Sequence, residues 1–247
     1  MTTNSDPQND NFLNNIERLN ETDVTISKSI TTIDSRLFKS CNTFNRLHIP
    51  SHITSINQPA FGECHDFSSI TVDAENPYFT SINGVLFSKD KKTLISCPPK
   101  IEETYVVPQT VTCIAEYAFF ICFNLISIQI LPGVQSIKDF AFANCISLRK
   151  IYIPSTVTSI GNSAFQQCYH CSTIEVDSNN PNYISVNNVL FTKDLHTLIY
   201  YSPEKCDIKY QIPNSVTKIA NSAFYSCFKL TEIEFPPGLI SIGQSAF

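Results

Sequence analysis

The sequence predicts a solenoid, mainly β with short helical turns, made of 23-residue coils and two hairpin-bearing variant coils. Three observations carry this reading. Phe38, Phe61, Phe119, Phe142, Phe165, Phe224 and Phe247 mark a beat along the 247 residues, with four intervals of 23 and two of 58 and 59. A cysteine follows three residues after each of the first six: Cys41, Cys64, Cys122, Cys145, Cys168 and Cys227. The segments Val72–Pro77, Val85–Asp90 and Thr93–Ile95 return 104 residues later as Val176–Pro181, Val189–Asp194 and Thr197–Ile199. Self-similarity at roughly 20 to 50 residues marks units that bury a core only by stacking. A residue recurring at fixed phase is therefore assigned a packing role first.

Residues 1–23 form a polar, Asn-rich leader. Within it Phe12, Ile16 and Leu19 follow Asp10 near helical spacing, which predicts a short N-terminal capping helix. The array spans 24–247. Its first copy, up to Cys41, is degenerate, with Ile30, Ile33, Leu37 and Phe38 in phase. The coil from Cys145 to Cys168 shows the grammar most clearly. Leu148, Ile151 and Ile153 turn inward, the last two at strand period, and Pro154, which cannot donate to a ladder, ends the strand. Val157 and Ile160 form a second apolar pair, Gly161-Asn162-Ser163 supplies a turn, and Ala164, Phe165 and Cys168 fit one short helical turn. The same order recurs from Phe44 to Phe61, from Leu125 to Phe142 and from Leu230 to Phe247. The two long intervals each read as strand, polar turn, strand, and so as variant coils bearing a β-hairpin. The chain stops at Phe247, mid-repeat. A solenoid needs a polar cap at its end, so a longer parent chain or an end-to-end contact with another chain is expected there.

The strand pattern L-x-x-I-x-I is that of a leucine-rich repeat. The fuller pattern, I-P-x-x-V-x-x-I-x-x-x-A-F-x-x-C, closely resembles the BspA-like leucine-rich-repeat proteins over about residues 24 to 247. The resemblance implies a leucine-rich-repeat solenoid. It also implies a non-enzymatic surface antigen that adheres to host or matrix proteins. An intracellular interaction scaffold of the same fold is the alternative. The location stays open between the cell surface, implied by the resemblance, and the cytoplasm, since no signal peptide or anchor is read in the sequence.

Several motifs invite a chemical reading and are absorbed by the repeat. Cys168 and Cys171 form a C-x-x-C, but Cys168 is the phased cysteine and Cys171 occupies the phase of Leu125 and Leu148. No second C-x-x-C completes a zinc site. Cys64-His65-Asp66 resembles a fragment of a nucleophilic site, yet Cys64 is itself a phased core residue. No catalytic residue, metal ligand or cofactor is assigned. The phased thiols are expected to be a buried, reduced ladder, because side chains on stacked coils run parallel and free cysteine is a strongly buried residue type.

A formal charge of −5 and 16% charged residues argue against nucleic-acid binding, which needs a basic face. No apolar run is long enough for a membrane helix. The expected partner is a protein. It would meet the strand residues that do not enter the core: Arg46, His48, Gln129, Arg149, Lys150, Tyr152, Glu175, Glu232 and Glu234, with their hydroxyl-bearing neighbours. Adjacent coils are expected to join these into one concave surface with a basic-aromatic patch at Arg149-Lys150-Tyr152 and an acidic end at Glu232 and Glu234.

Overall fold

A computed structural model of the chain describes residues 15–38, 44–205 and 207–247, so Phe12, Cys41 and Cys206 lie outside the described residues. The described chain winds as stacked coils with three sides. One side carries the strands of the leading apolar triplet. Asp23–Ile26, Arg46–Ile49 and Ser69–Val72 pair in parallel, as do Thr104–Val106, Ser127–Gln129, Lys150–Ile153 and Thr173–Val176, and then Lys209–Gln211 with Glu232–Glu234. Register stacks like on like: Leu47 on Ile70, Ile151 on Ile174, Ile153 on Val176. The second side carries two-residue strands such as Cys113–Ile114, Ser136–Ile137 and Ser159–Ile160.

The third side holds the Ala-Phe turns. Here the structure departs from the expected helical turn, and no helix forms. Left-handed residues flank the turns of Phe119, Phe142, Phe165 and Phe224: Phe140 (φ 54°) and Asn144 (φ 61°) around Phe142, Ser163 (φ 51°) and Gln167 (φ 59°) around Phe165. The reason lies in the backbone hydrogen bonds. The N–H groups of Phe140, Phe142 and Asn144 donate to the carbonyls of Asn162, Ala164 and Gln166 in the next coil, at 3.0, 2.8 and 2.9 Å. A helix would turn those N–H groups back on its own carbonyls, and the coils would lose this ladder.

The phased phenylalanines form a column. Phe119, Phe142 and Phe165 stack with ring centroids 5.0 and 5.8 Å apart and nearly parallel planes, and Phe224 stacks on Phe247 at 5.2 Å. The second hairpin coil has no Ala-Phe pair, and Tyr200 and Tyr201 carry the column across it, 5.6 Å from Phe165 and 5.1 Å from Phe224. The phased cysteines have a defined partner. Each thiol approaches the carbonyl one coil back: Cys145 to Phe119 at 3.1 Å, Cys168 to Phe142 at 3.2 Å, Cys122 to Cys97 at 3.8 Å. A small side chain with one weak donor is what that spot accommodates.

The hairpin coils are three-stranded antiparallel meanders. Phe79–Ile82, Val85–Ser88 and Thr93–Ser96 form one, and Tyr183–Val186, Val189–Thr192 and Thr197–Tyr201 the other. Their first turns, Asn83-Gly84 and Asn187-Asn188, have two left-handed residues each, as a two-residue hairpin requires. The middle strands are buried on both faces. Val85 and Phe87 face the central core while Leu86 faces the N-terminal one, and Leu190 faces the central core while Val189 and Phe191 face the C-terminal one. The interior is thus three apolar cells divided by two strands.

A buried asparagine fixes each meander to the coil before it. Asn180 Nδ2 donates to the carbonyls of Pro154 and Val157 at 2.8 and 3.0 Å, and Oδ1 accepts from the N–H groups of Asn182 and Tyr183 at 2.9 Å each. Asn76 repeats this with Pro50, Ile53, Tyr78 and Phe79.

At the N-terminus Ile16–Arg18 is a strand, antiparallel to Asp23–Ile26, in place of the expected capping helix. Asn20 Oδ1 accepts from the N–H groups of Thr22 and Asp23 and closes a tight turn that a helix through Leu19 could not make. The strand still covers the outer edge of the first coil. At the other end Ile240, Ile242 and Phe247 are exposed. Among the described residues no helix is long and apolar enough to cross a membrane.

Replacing Asn180 by Ala leaves the Val157 carbonyl and the N–H groups of Asn182 and Tyr183 without a partner and takes one of two donors from the Pro154 carbonyl. The expected loss is about 3 kcal/mol or more, read from a denaturant midpoint. Asn179→Ala, at an exposed neighbouring position, is the control and should cost little; equal effects would contradict the assigned role.

Candidate protein-binding face

The strand that opens each coil alternates inward and outward, which places the predicted surface residues. Arg46, Gln129, Arg149, Lys150, Tyr152, Glu175, Glu232 and Glu234 are exposed, and His48 is half-buried with Nδ1 3.2 Å from Thr71 Oγ1. They do not form one surface. The ladders end at the meanders, whose hairpin tips occupy the strand edge: the N–H of Ile70 donates to the carbonyl of Gly84 at 2.8 Å, and Ser185 Oγ donates to the carbonyl of Ile174. Gly84 is needed for this close seat, because a Cβ there would lie 2.9 Å from Ser69 Oγ at a φ of +80°. Arg46 and His48 therefore belong to a first ladder, Gln129 to Glu175 to a second, and Glu232 and Glu234 to a third.

The second ladder is the most developed. Val106 faces Gln129 and Tyr152 faces Glu175 in register, and the strands bring these four into one row. Val106 is 48% and Tyr152 36% exposed, so an apolar and an aromatic side chain stand open on this row. The charges around them are paired. Lys150 Nζ lies 2.8 Å from Glu175 Oε2, and Tyr152 donates to Asp177 Oδ2 at 2.8 Å. Backbone donation from Asn179 and then the Tyr152 hydroxyl hold the Asp177 carboxyl below its ordinary range, while that carboxylate raises the Tyr152 hydroxyl. The acidic end is likewise neutralised: Lys209 reaches both Glu234 and Glu232, the latter at 3.6 Å.

Val106, Lys209 and Glu204 were not picked out in the sequence. Val106 and Lys209 stand on the strands after the hairpins, where the apolar triplet is incomplete, and only the 23-residue spacing from Gln129 and Glu232 betrays them. Glu204 lies outside the repeat phase. It accepts from His170 Nδ1 at 2.8 Å and sits 4.0 Å from Lys229, and the His170 hydrogen bond is the main cause of its lowered carboxyl.

The residues that invited a catalytic reading are core. Cys64 is 1% exposed, and Cys168 and Cys171 are fully enclosed. The eight described cysteines are free. Burial pushes the thiols of Cys122, Cys145 and Cys168 well above their ordinary value, and those of Cys171 and Cys227 up to about 12.

Fold and face define a repeat module of the kind that mediates protein–protein contacts. The profile of the BspA type leucine rich repeat region matches six copies over residues 10–106, 101–203 and 198–247, and the chain belongs to that family. The match begins inside the segment read as a polar leader. Among solved structures, the chain is similar to a leucine-rich repeat protein of Eubacterium ventriosum, with 23% identity over 92% of this chain and 64% of that one, TM-score 0.65. A leucine rich cell surface protein of Faecalibacterium prausnitzii shares 24% identity over 94% and 71%, TM-score 0.60. The pneumococcal vaccine antigen PcpA shares 21% over 94% and 64%, TM-score 0.60. At these identities the likeness shows the fold. The chain spans 64% of the Eubacterium protein's length. No match is found among curated proteins.

Two outcomes follow from the enclosed thiols. In the native protein Cys64, Cys122, Cys145, Cys168 and Cys171 should resist iodoacetamide at neutral pH and react once unfolded, as read by mass spectrometry; rapid native labelling of Cys64 would contradict its place in the core. The folded chain also holds thiol protons more tightly than the unfolded chain. Stability is whole below the ordinary thiol value of 9.0 and falls as pH rises toward about 12, by about 1.4 kcal/mol per pH unit per thiol. Denaturant midpoints between pH 8 and about pH 11 check this sign.

Proposed function

We propose that the chain is a non-enzymatic, adhesin-like surface antigen that binds host or matrix protein through its second strand ladder. The observation that carries this reading is the row Val106, Gln129, Tyr152 and Glu175, beside Arg149 and the Lys150–Glu175 pair. An exposed aromatic flanked by arginine is the side-chain type that anchors protein interfaces, and the surrounding paired charges supply a polar rim. Backbone strands fix the positions of all these groups, so little order must be gained on binding. Two structural neighbours, a cell surface protein and a vaccine antigen, support a surface role.

The second reading is an intracellular interaction scaffold. The free state of the eight described cysteines favours it, because exported proteins more often pair theirs. Antibody labelling of unpermeabilised cells separates the two: a surface signal supports the adhesin, and signal only after permeabilisation supports the scaffold.

For the face itself, a pull-down from host matrix extract should identify a ligand whose binding falls about tenfold or more in Arg149→Glu/Tyr152→Ala. The swap Lys150→Glu/Glu175→Lys keeps the ion pair and reverses its polarity. Undiminished ligand binding in the Arg149→Glu/Tyr152→Ala variant would remove the second ladder as the site.

A further inference from the structure

The column of Ala-Phe turns has a gap where the second hairpin coil, which lacks such a turn, separates Phe165 from Phe224. A cavity of about 260 Å³ opens there, between the turn of Ser163 and the turn of Ser222, with Tyr183 and Thr197 among its other walls. Its mouth is tied by Ser163 Oγ and Ser222 Oγ, 2.9 Å apart.

The backbone around this gap is unusual. In the coil before, the N–H groups of Phe140, Phe142 and Asn144 donate forward to the next coil. Ser163, Phe165 and Gln167 stand one repeat later with the same alternation, left-handed at Ser163 and Gln167. Their N–H groups point forward too, but the coil ahead offers no turn to receive them. Among the described residues none of the three has an acceptor. Of these three, Ser163 and Phe165 line the cavity, and free backbone N–H groups beside a left-handed turn residue make an anion-binding concavity. Lys218 lines the same cavity and no carboxylate does. Asn162, Asn221 and Thr192 add amide and hydroxyl groups around it.

The first hairpin coil makes the equivalent gap and closes it. Pro59 stands where Ser163 does and has no N–H to offer, and Tyr117 and Phe120 fill the space, leaving about 10 Å³. Tyr117 is the counterpart of Ser222, on nearly the same backbone, φ 56° against 55°. The two junctions thus differ in kind: one is packed with rings and the other is open and polar.

We propose that the open junction is a binding site for a small hydroxylated molecule carrying one oxyanion, a carboxylate or a phosphate. The N–H groups of Ser163 and Phe165 take the anion with Lys218, and the amides and hydroxyls take the rest. The site is separate from the strand face and does not depend on the adhesin reading. Calorimetric titration of the whole chain with glucuronate, glucose 6-phosphate and glucose tests it. The expected result is binding of at least one charged sugar and none of glucose, the tighter of the two identifying the anion. Ser222→Tyr imports the plug that Tyr117 forms on a backbone already suited to it, and should abolish binding while the thermal unfolding transition stays cooperative. Lys218→Met should weaken binding about tenfold and keeps the test alive if the first variant folds poorly. Equal binding of glucose, no binding of either charged sugar, or unchanged affinity in both variants would overturn the proposal.

Discussion

Along the third side of the central coils the backbone donors all run in one direction. On the third side alternate N–H groups leave Phe140, Phe142 and Asn144 for the carbonyls of the following turn, and this forward donation is the constraint on which the stack depends. It forces left-handed conformations on side chains as large as Phe140, Tyr117 and Ile121, at a cost of roughly 1–2 kcal/mol each. That strain persists only because the surroundings over-determine it: the ring column, the inward strand pairs and the thiol-to-carbonyl contacts all hold the same spacing. The polarity also means that a coil lacking its turn does not merely leave a space. It leaves donors without acceptors, and the two hairpin coils meet that problem differently.

The meanders change the architecture more than their length suggests. Each stops the strand ladder on one side, seats an asparagine in the previous coil and places a doubly buried strand across the interior. The outward strand surface is consequently segmented. Arg46 and His48, the row around Tyr152, and the Glu232–Glu234 strand are separate faces, with their charges largely balanced within each.

Much of this was legible in the sequence because the repeat constrains each position many times over. The inward residues Leu148, Ile151, Ile153 and Phe165 and the core role of Cys171 follow from phase alone. The meanders showed as a duplication, and their hairpins as turn residues between β-rich runs. What phase could not give was anything that happens once or out of register. Asn76 and Asn180 look like ordinary turn residues, since Asn before Pro is common in loops, and two of the four hydrogen bonds each makes exist only when the coil before is in place. The Ala-Phe-x-x-Cys spacing suits one helical turn as well as two flanked by left-handed residues, and the choice between them is made by the neighbouring coil. Ile16 and Leu19 fit a helix until Asn20 closes a turn. The face residues were visible as outward positions, but the partners Lys209, Asp177 and Glu204, which neutralise or orient them, sit on other coils at distances the sequence does not encode.

The strands Val85–Ser88 and Val189–Thr192 act as bulkheads. Apolar contacts are dense within each compartment and pass between compartments through a single strand, so the cooperative units of opening follow the compartments and not the individual repeats. A breach in one, by heat or by pulling on the chain, can be contained at the next partition. An elongated protein held under tension would then yield in a few large steps, retaining a folded remainder able to template the return of what was lost.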